Sequence, residues 1–301
     1  MQLLKLYLLC VVLQLMARLI NRPSVYHLDE VLFPDGMEPG HVVELSGEDG
    51  TGKSQYLLYL LVTAILPAAV SDVEIGGLNA EVLFIDIKYT FNVLHLVALL
   101  EQRLSAALKA DDISTAKKSA TEDAESEDVI ESAVRQCLSR FYLVRCSSSS
   151  QLAVTLCSLE SVLAAKPSIR LVMLDDISAF YHMDVFTNTE SRFSLCVSLL
   201  KKLVCTRQLV LIATRTHIDV ANQAFKRDAG GKSKCSSVAG NAYLSAWRQL
   251  RTHRRTFVKT GSSNIFSVTI KSANDNNIQV NFTVVEAGVK IVSQCHSFLI
   301  V

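Results

Sequence analysis

The sequence holds eight cysteines but no C-x-x-C pair and no zinc-ligand spacing. That excludes a metal finger and a dithiol redox centre, and it points to free thiols in a reducing compartment, several of them packed as small hydrophobes. A net charge is almost absent as well, at +1. Long hydrophobic runs are missing: the apolar stretch Leu3 to Ile20 is broken by Gln14 and Arg18. It is shorter than the roughly 20 residues a spanning helix needs, and no A-x-A-like cleavage site follows it. No membrane association is expected. This stretch reads as a secretory signal or anchor, as a short amphipathic helix that docks on the domain or a partner through Leu13, Leu15, Met16, Leu19 and Ile20, or as the product of a misassigned start codon. Disorder is excluded for most of the chain, because 50% of the residues are hydrophobic and they are spread along its length.

The small net charge conceals a segregation. Residues 111–131 contain eight acidic and two basic side chains, whereas residues 201–259 contain thirteen basic and two acidic ones. The second stretch suits a polyanion, or is simply a set of solvated side chains.

Apolar runs of strand length alternate with runs of helix length. Strands are expected at His41–Ser46, Glu81–Asp86, Phe141–Cys146, Arg170–Asp175 and Gln208–Thr214, with helices at Ser54–Leu66, Phe91–Ala110, Gln151–Ala165 and Glu190–Cys205. Such alternation demands right-handed β-α-β crossovers and a mostly parallel twisted sheet, so the fold class is α/β. The runs Thr256–Ile270 and Ile278–Val292 are expected to extend the sheet as antiparallel C-terminal strands, after a helix around Trp247. Two stretches resist this pattern. Residues 111–131 lack apolar periodicity and are expected to be a solvated acidic insertion, and residues 217–240, with Gly230-Gly231 and several lysines, a basic loop. The expected organisation is an N-terminal segment and linker over residues 1–38, then one domain over 39–301.

The string Gly47-Glu48-Asp49-Gly50-Thr51-Gly52-Lys53-Ser54 fits G-x-x-x-x-G-K-[ST] without a mismatch. By chance such a match arises in about 1% of chains of this length. The glycines let backbone N–H groups turn toward phosphates at a helix N-terminus, Lys53 reaches the β/γ oxygens, and Ser54 ligates Mg²⁺. Asp175 ends the apolar strand Leu171-Val172-Met173-Leu174 and supplies the second carboxylate for the Mg²⁺ shell. Alternatively, Asp175 or Asp176 merely caps the next helix. His182, His217 and His253 are isolated and read as surface or packing residues. Ser147 to Ser150 read as a helix cap, and Trp247 as a core anchor.

GEDGTGKS, EVLFID, FYLVRCSSSS followed by LCSLES, LVMLDDISAFYHMD, LVLIAT and YLSAWRQL, in this order between about Leu15 and Gly288, resemble the RecA-type recombinase paralogues of homologous recombination. The resemblance implies a RecA-like P-loop core and ATP with Mg²⁺ as cofactors. It also implies a nuclear location, a hetero-oligomeric complex with other recombinase paralogues, and action on single-stranded or branched DNA, directly or through partners. A helix-hairpin-helix domain ahead of the core is not expected. Two departures bear on mechanism. Where recombinases carry a water-orienting glutamate, Asp86-Ile87-Lys88 places Lys88, so hydrolysis is expected to be slow or absent unless Asp86 substitutes. The Phe-x-x-Ala segment by which recombinases polymerise does not occur in the sequence.

The basic stretch then becomes the expected DNA contact, through Lys226, Arg227, Lys232, Lys234, Arg248, Arg251, Arg254 and Arg255. The expected function is an ATP-binding adaptor of double-strand break repair. A DNA-dependent ATPase with its own strand exchange would need a working carboxylate and protomer contacts, and a small-molecule P-loop kinase would need an arginine-rich lid, which the basic loop could imitate.

Overall fold

Side-chain alternation along the strands sets the layers. In β1 (Val42–Gly47), Val43 and Leu45 enter one core while Val42 enters another on the opposite face. The computed structural model describes residues 24–115, 122–189, 191–217, 243–261, 264–271 and 277–297. On the first face lie α1 (Lys53–Ile65), α2 (Val93–Thr115) and α3 (Glu122–Ser139). The second face carries α4 (Ser149–Ala165), α6 (Ser191–Arg207) and α7 (Ser245–Leu250), while the short α5 (Tyr181–Phe186) stands before α6.

Between these helices, β4 (Glu81–Asp86), β5 (Phe141–Arg145), β6 (Ile169–Asp175) and β7 (Val210–Thr216) join β1 as parallel neighbours in the order β1-β7-β6-β4-β5. β2 (Ala69–Val70) and β3 (Val73–Glu74) form a small separate ribbon. A sheet covered on both faces needs near-continuous apolar strands, and β1, β4 and β6 meet that need. Helix α1 is apolar nearly all round because it is sandwiched: nine of its thirteen residues are buried, among them Tyr56, Leu57, Leu60 and Leu61.

Three sequence expectations change in the structure. The run Thr256–Ile270 divides into β8 (His253–Thr260) and β9 (Ile265–Lys271), and Ile278–Val292 lies in β10 (Asn277–Val285) and β11 (Gly288–Ser297), where Gly288 takes a φ of 102° at the turn. Antiparallel pairing runs from β8 to β11, but β8 itself is parallel to β1.

The acidic stretch 111–131 is not a structureless insertion. It is the end of α2 and the start of α3, with residues 116–121 outside the described residues. Its apolar anchors lie further on, where Ala133, Val134 and Cys137 are buried, so the polar half hides the helix from a periodicity reading.

Nor do residues 24–38 form a free linker. Val25, Leu28, Leu32, Phe33 and Met37 are buried in the first core. Asp29, itself buried, accepts hydrogen bonds from the N–H groups of Val31 and Leu32 and from the Tyr56 hydroxyl at 2.8 Å, which fastens this stretch to α1. Finally, the docking residues expected at Leu13–Ile20 and the basic residues Lys226, Arg227, Lys232 and Lys234 lie outside the described residues. No described helix is long and apolar enough to cross a membrane.

Candidate nucleotide-binding site

The C-terminal ends of β1, β7, β6 and β4 lie side by side, with Gly47 in register with Thr216 and Asp86 in register with Asp175. Ligands of open α/β sheets bind outside this edge. Gly47 to Ser54 cross it and turn into α1. Gly50 and Gly52 take φ of 75° and 83°, in the left-handed region that side chains resist. At Gly47 a Cβ would lie 2.5 Å from the Phe257 carbonyl oxygen of β8, so only glycine lets the loop approach that strand.

Lys53 is buried, and its Nζ donates to the carbonyl oxygens of Gly47, at 3.0 Å, and Glu48. Burial is the main cause that lowers its pKa below the ordinary lysine value, opposed by the Asp176 charge. Ser54 Oγ donates to Asp175 Oδ1 at 3.1 Å, and the same oxygen accepts from Thr214 Oγ1 on β7. Burial raises the Asp175 pKa, and these two hydroxyls pull it back only in part. A desolvated carboxylate beside a helix-terminal hydroxyl is a donor pair for a hard cation, and the glycine loop fits phosphates. The residues present therefore fit a Mg²⁺-nucleotide. Gly47, Glu48, Asp49, Gly50, Thr51, Gly52, Lys53, Ser54 and Asp175 are all brought together, with Glu48 and Thr51 shaping the loop through a 2.8 Å hydrogen bond between the Thr51 hydroxyl and the Glu48 carbonyl.

Lys88 points into this site. Its Nζ is 3.1 Å from Asp176 Oδ2, 3.4 Å from Asp49 Oδ1 and 3.3 Å from Thr216 Oγ1. Burial pulls the Lys88 pKa down, but Asp176, with Asp175 and Asp49, more than offsets this and holds it above the ordinary value. Asp86 is engaged elsewhere: it accepts from the N–H groups of Thr90 and Phe91 and pairs with Arg145 Nε at 3.2 Å.

The chain matches the Rad51 family model over residues 20–155. Over 291 residues it is 34% identical to the DNA repair protein XRCC2 of Mus musculus, an alignment covering 92% of this chain and 95% of that one. The chain belongs to the XRCC2 branch of the Rad51 family. The XRCC2 homologue of Arabidopsis thaliana is 27% identical, over 72% of this chain and 68% of its own. DNA repair protein RAD51 of Mycosarcoma maydis is 42% identical over 76 residues, 25% of this chain and 21% of its own. The α/β sheet, parallel in its centre with antiparallel C-terminal strands, is the Rad51-type, RecA-like domain, and membership places the chain among DNA repair and recombination proteins that bind nucleotide.

The XRCC2-like chain also carries a charged cluster that the sequence did not disclose. Glu44, wholly buried in β1, accepts from Trp247 Nε1 at 2.6 Å and pairs with Arg215 at 3.1 Å, Arg251 at 2.9 Å and Arg254 at 3.3 Å. Ser46, one step up the same face, accepts from Arg215 and Arg254 and contacts His217 Nε2 at 3.1 Å. His217 is exposed, as a surface residue should be, but not isolated. Its main-chain N–H donates to Gly47, and burial followed by the charges of Arg215, Arg254 and Lys53 lowers its pKa. The only hint in the sequence was a glutamate inside an otherwise apolar strand.

Among the expected DNA contacts, Arg248 is exposed, while Arg251 and Arg254 divide their guanidiniums between Glu44 and the surface. Arg255 is a correction. It is buried, donates to the Leu32 carbonyl oxygen at 2.8 Å, and lies over the Phe33 ring on the opposite face. Strand alternation turns it away from Arg254, and burial pulls its pKa down to about 10.

Proposed function

We propose that this chain is an ATP-binding subunit of a recombinase-paralogue complex, which assists the recombinase filament on single-stranded DNA during double-strand break repair in the nucleus. The observation that carries the nucleotide part is the 3.1 Å contact between Ser54 and Asp175 at the mouth of an intact phosphate loop. Lys53 binds the β/γ oxygens, and Ser54 with Asp175 holds the water shell of Mg²⁺, which when bound neutralises phosphate charge. The complex and the nuclear location rest on similarity to XRCC2 proteins.

Slow turnover, rather than independent strand exchange, is favoured by the two groups nearest the expected water position. Lys88 donates hydrogen bonds and cannot take a proton from water while charged, and both oxygens of Asp86 are occupied. Nucleotide then acts as a ligand that stabilises the fold by RT ln(1 + [ATP]/Kd), about 2.7 kcal/mol at a hundredfold excess over Kd.

The test is equilibrium binding of Mg·ATP to the full chain. Lys53→Ala and Ser54→Ala should each weaken it by about tenfold or more. Undiminished binding in both variants would reduce the loop to a structural turn.

A further inference from the structure

Lys88 is a second ammonium at the mouth of the phosphate loop, and its partners are arranged so that it can leave them. Asp176, its nearest, is buried, yet it does not depend on the lysine. Asp176 also accepts from Ser178 N–H at 2.8 Å, Ser178 Oγ at 2.7 Å, Thr216 N–H at 3.0 Å and Thr216 Oγ1. Four donors remain to hold its charge if Lys88 moves. Asp49 is largely exposed, so its 3.4 Å pair with Lys88 is worth little. The Lys88 side chain is only partly covered, at 29% exposure, whereas Lys53 is enclosed by loop carbonyls.

The main chain fixes where Lys88 stands. Ile87 N–H donates to the Asp175 carbonyl at 2.8 Å, so the root of Lys88 is tied beside the residue that faces Ser54. From there its Nζ reaches a residue of the phosphate loop, Asp49, and the end of β7, Thr216. The lysine thus stands within electrostatic reach of Lys53 but outside the loop carbonyls that enclose it.

We infer that Lys88 is the residue that discriminates a nucleoside triphosphate from a diphosphate at this site: it exchanges Asp49 and Asp176 for the terminal phosphate. This rests on the reading of Gly47–Ser54 as the ATP site and adds a specificity to it. A diphosphate leaves Lys88 on its resting partners, since those already satisfy it. A triphosphate presents a further phosphoryl group and one more negative charge, and a charge-assisted hydrogen bond to one of its terminal oxygens amounts to roughly ten- to hundredfold in affinity.

The experiment uses the full chain with Mg·ATP, a non-hydrolysable Mg-triphosphate analogue and Mg·ADP, each competed against a fluorescent nucleotide. The wild type should bind both triphosphates at least about tenfold more tightly than ADP. Lys88→Met should bring the ratio to within about threefold, mainly by weakening the triphosphates, and Lys88→Arg should keep most of the preference.

Melting without nucleotide checks that the variants fold. Amine acylation of the wild-type protein, read by mass spectrometry, gives the answer without any substitution: Lys88 should be protected by Mg·ATP and not by Mg·ADP. Equal protection of Lys88 by the two nucleotides, or an unchanged ratio in Lys88→Met, overturns the inference and leaves the ATP site standing. No binding of any of the three nucleotides by the wild type overturns both.

Discussion

Trp247 Nε1 donates to Glu44 Oε2 at 2.6 Å, so the single tryptophan of the chain is fastened to a carboxylate that three arginines share. The bond joins α7 to the strand that carries the phosphate loop, through a group with no access to water. Removing the carboxylate leaves Arg215, Arg251 and Arg254 facing one another.

Glu44→Ala should therefore cost about 3–5 kcal/mol of unfolding free energy, the cost of breaking a buried ion pair from one side. Trp247→Phe keeps the ring and removes one donor, and should cost about 1–3 kcal/mol. Urea titrations followed by circular dichroism measure both. A Glu44→Ala chain as stable as the wild type would show that the arginines find solvent instead.

Asp175 should show the opposite sign. A carboxyl whose folded pKa is raised above its ordinary value of 3.8 binds its proton more tightly in the folded chain. Stability then falls as pH rises from the unfolded value to the folded one, and at neutral pH the full cost is present. Asp175→Asn keeps an acceptor for Ser54 and Thr214 without the charge, and should raise the melting temperature at pH 7.5 by about 2 °C or more. The gain should shrink as pH is lowered toward the ordinary carboxylate range, and the Mg²⁺-dependent part of nucleotide binding should be lost. A lower melting temperature at pH 7.5 would mean that the ionised group stabilises the site.

How far the sequence disclosed this arrangement depends on the range of each interaction. The phosphate loop is a contiguous string, and Asp175 ends a recognisable apolar strand, so both were legible. The Lys88–Asp176 pair was not, because it joins the ends of β4 and β6 through a register that only the folded sheet sets. Asp176, read as a helix cap at most, turned out to be the lysine's buried partner. The same limit applied to Arg254 and Arg255, adjacent in the chain and alike in type, which part to opposite faces once β8 is known to begin at His253. Residues 111–131 misled for a different reason, since the charges gather at the facing ends of two helices and leave no apolar period over those ends.

Arg255, buried on the opposite face, is set apart from the proposed DNA contacts. Replacing Lys226, Arg227, Lys232 and Lys234 by alanine should flatten the dependence of single-stranded DNA affinity on salt, by roughly 3 in the log–log slope if all four touch phosphate. Arg255→Ala should leave that slope alone and lower the melting temperature. Fluorescence anisotropy across a salt series reads the first effect and thermal denaturation the second. An unchanged slope in the fourfold variant would assign DNA binding to the partners.

The oxygen of Gly47 accepts from both Lys53 Nζ and the main-chain N–H of His217, at 3.0 and 3.1 Å. At the other end of the basic stretch, the hydroxyl of Tyr243 donates to the buried Asp184 at 2.9 Å. Residues 218–242 therefore begin and end at points already clamped to the core. His217 and Tyr243 are thus held at fixed points by folding of the described residues alone, and the entropy of bringing these two positions to their places is already spent whatever the stretch between them binds.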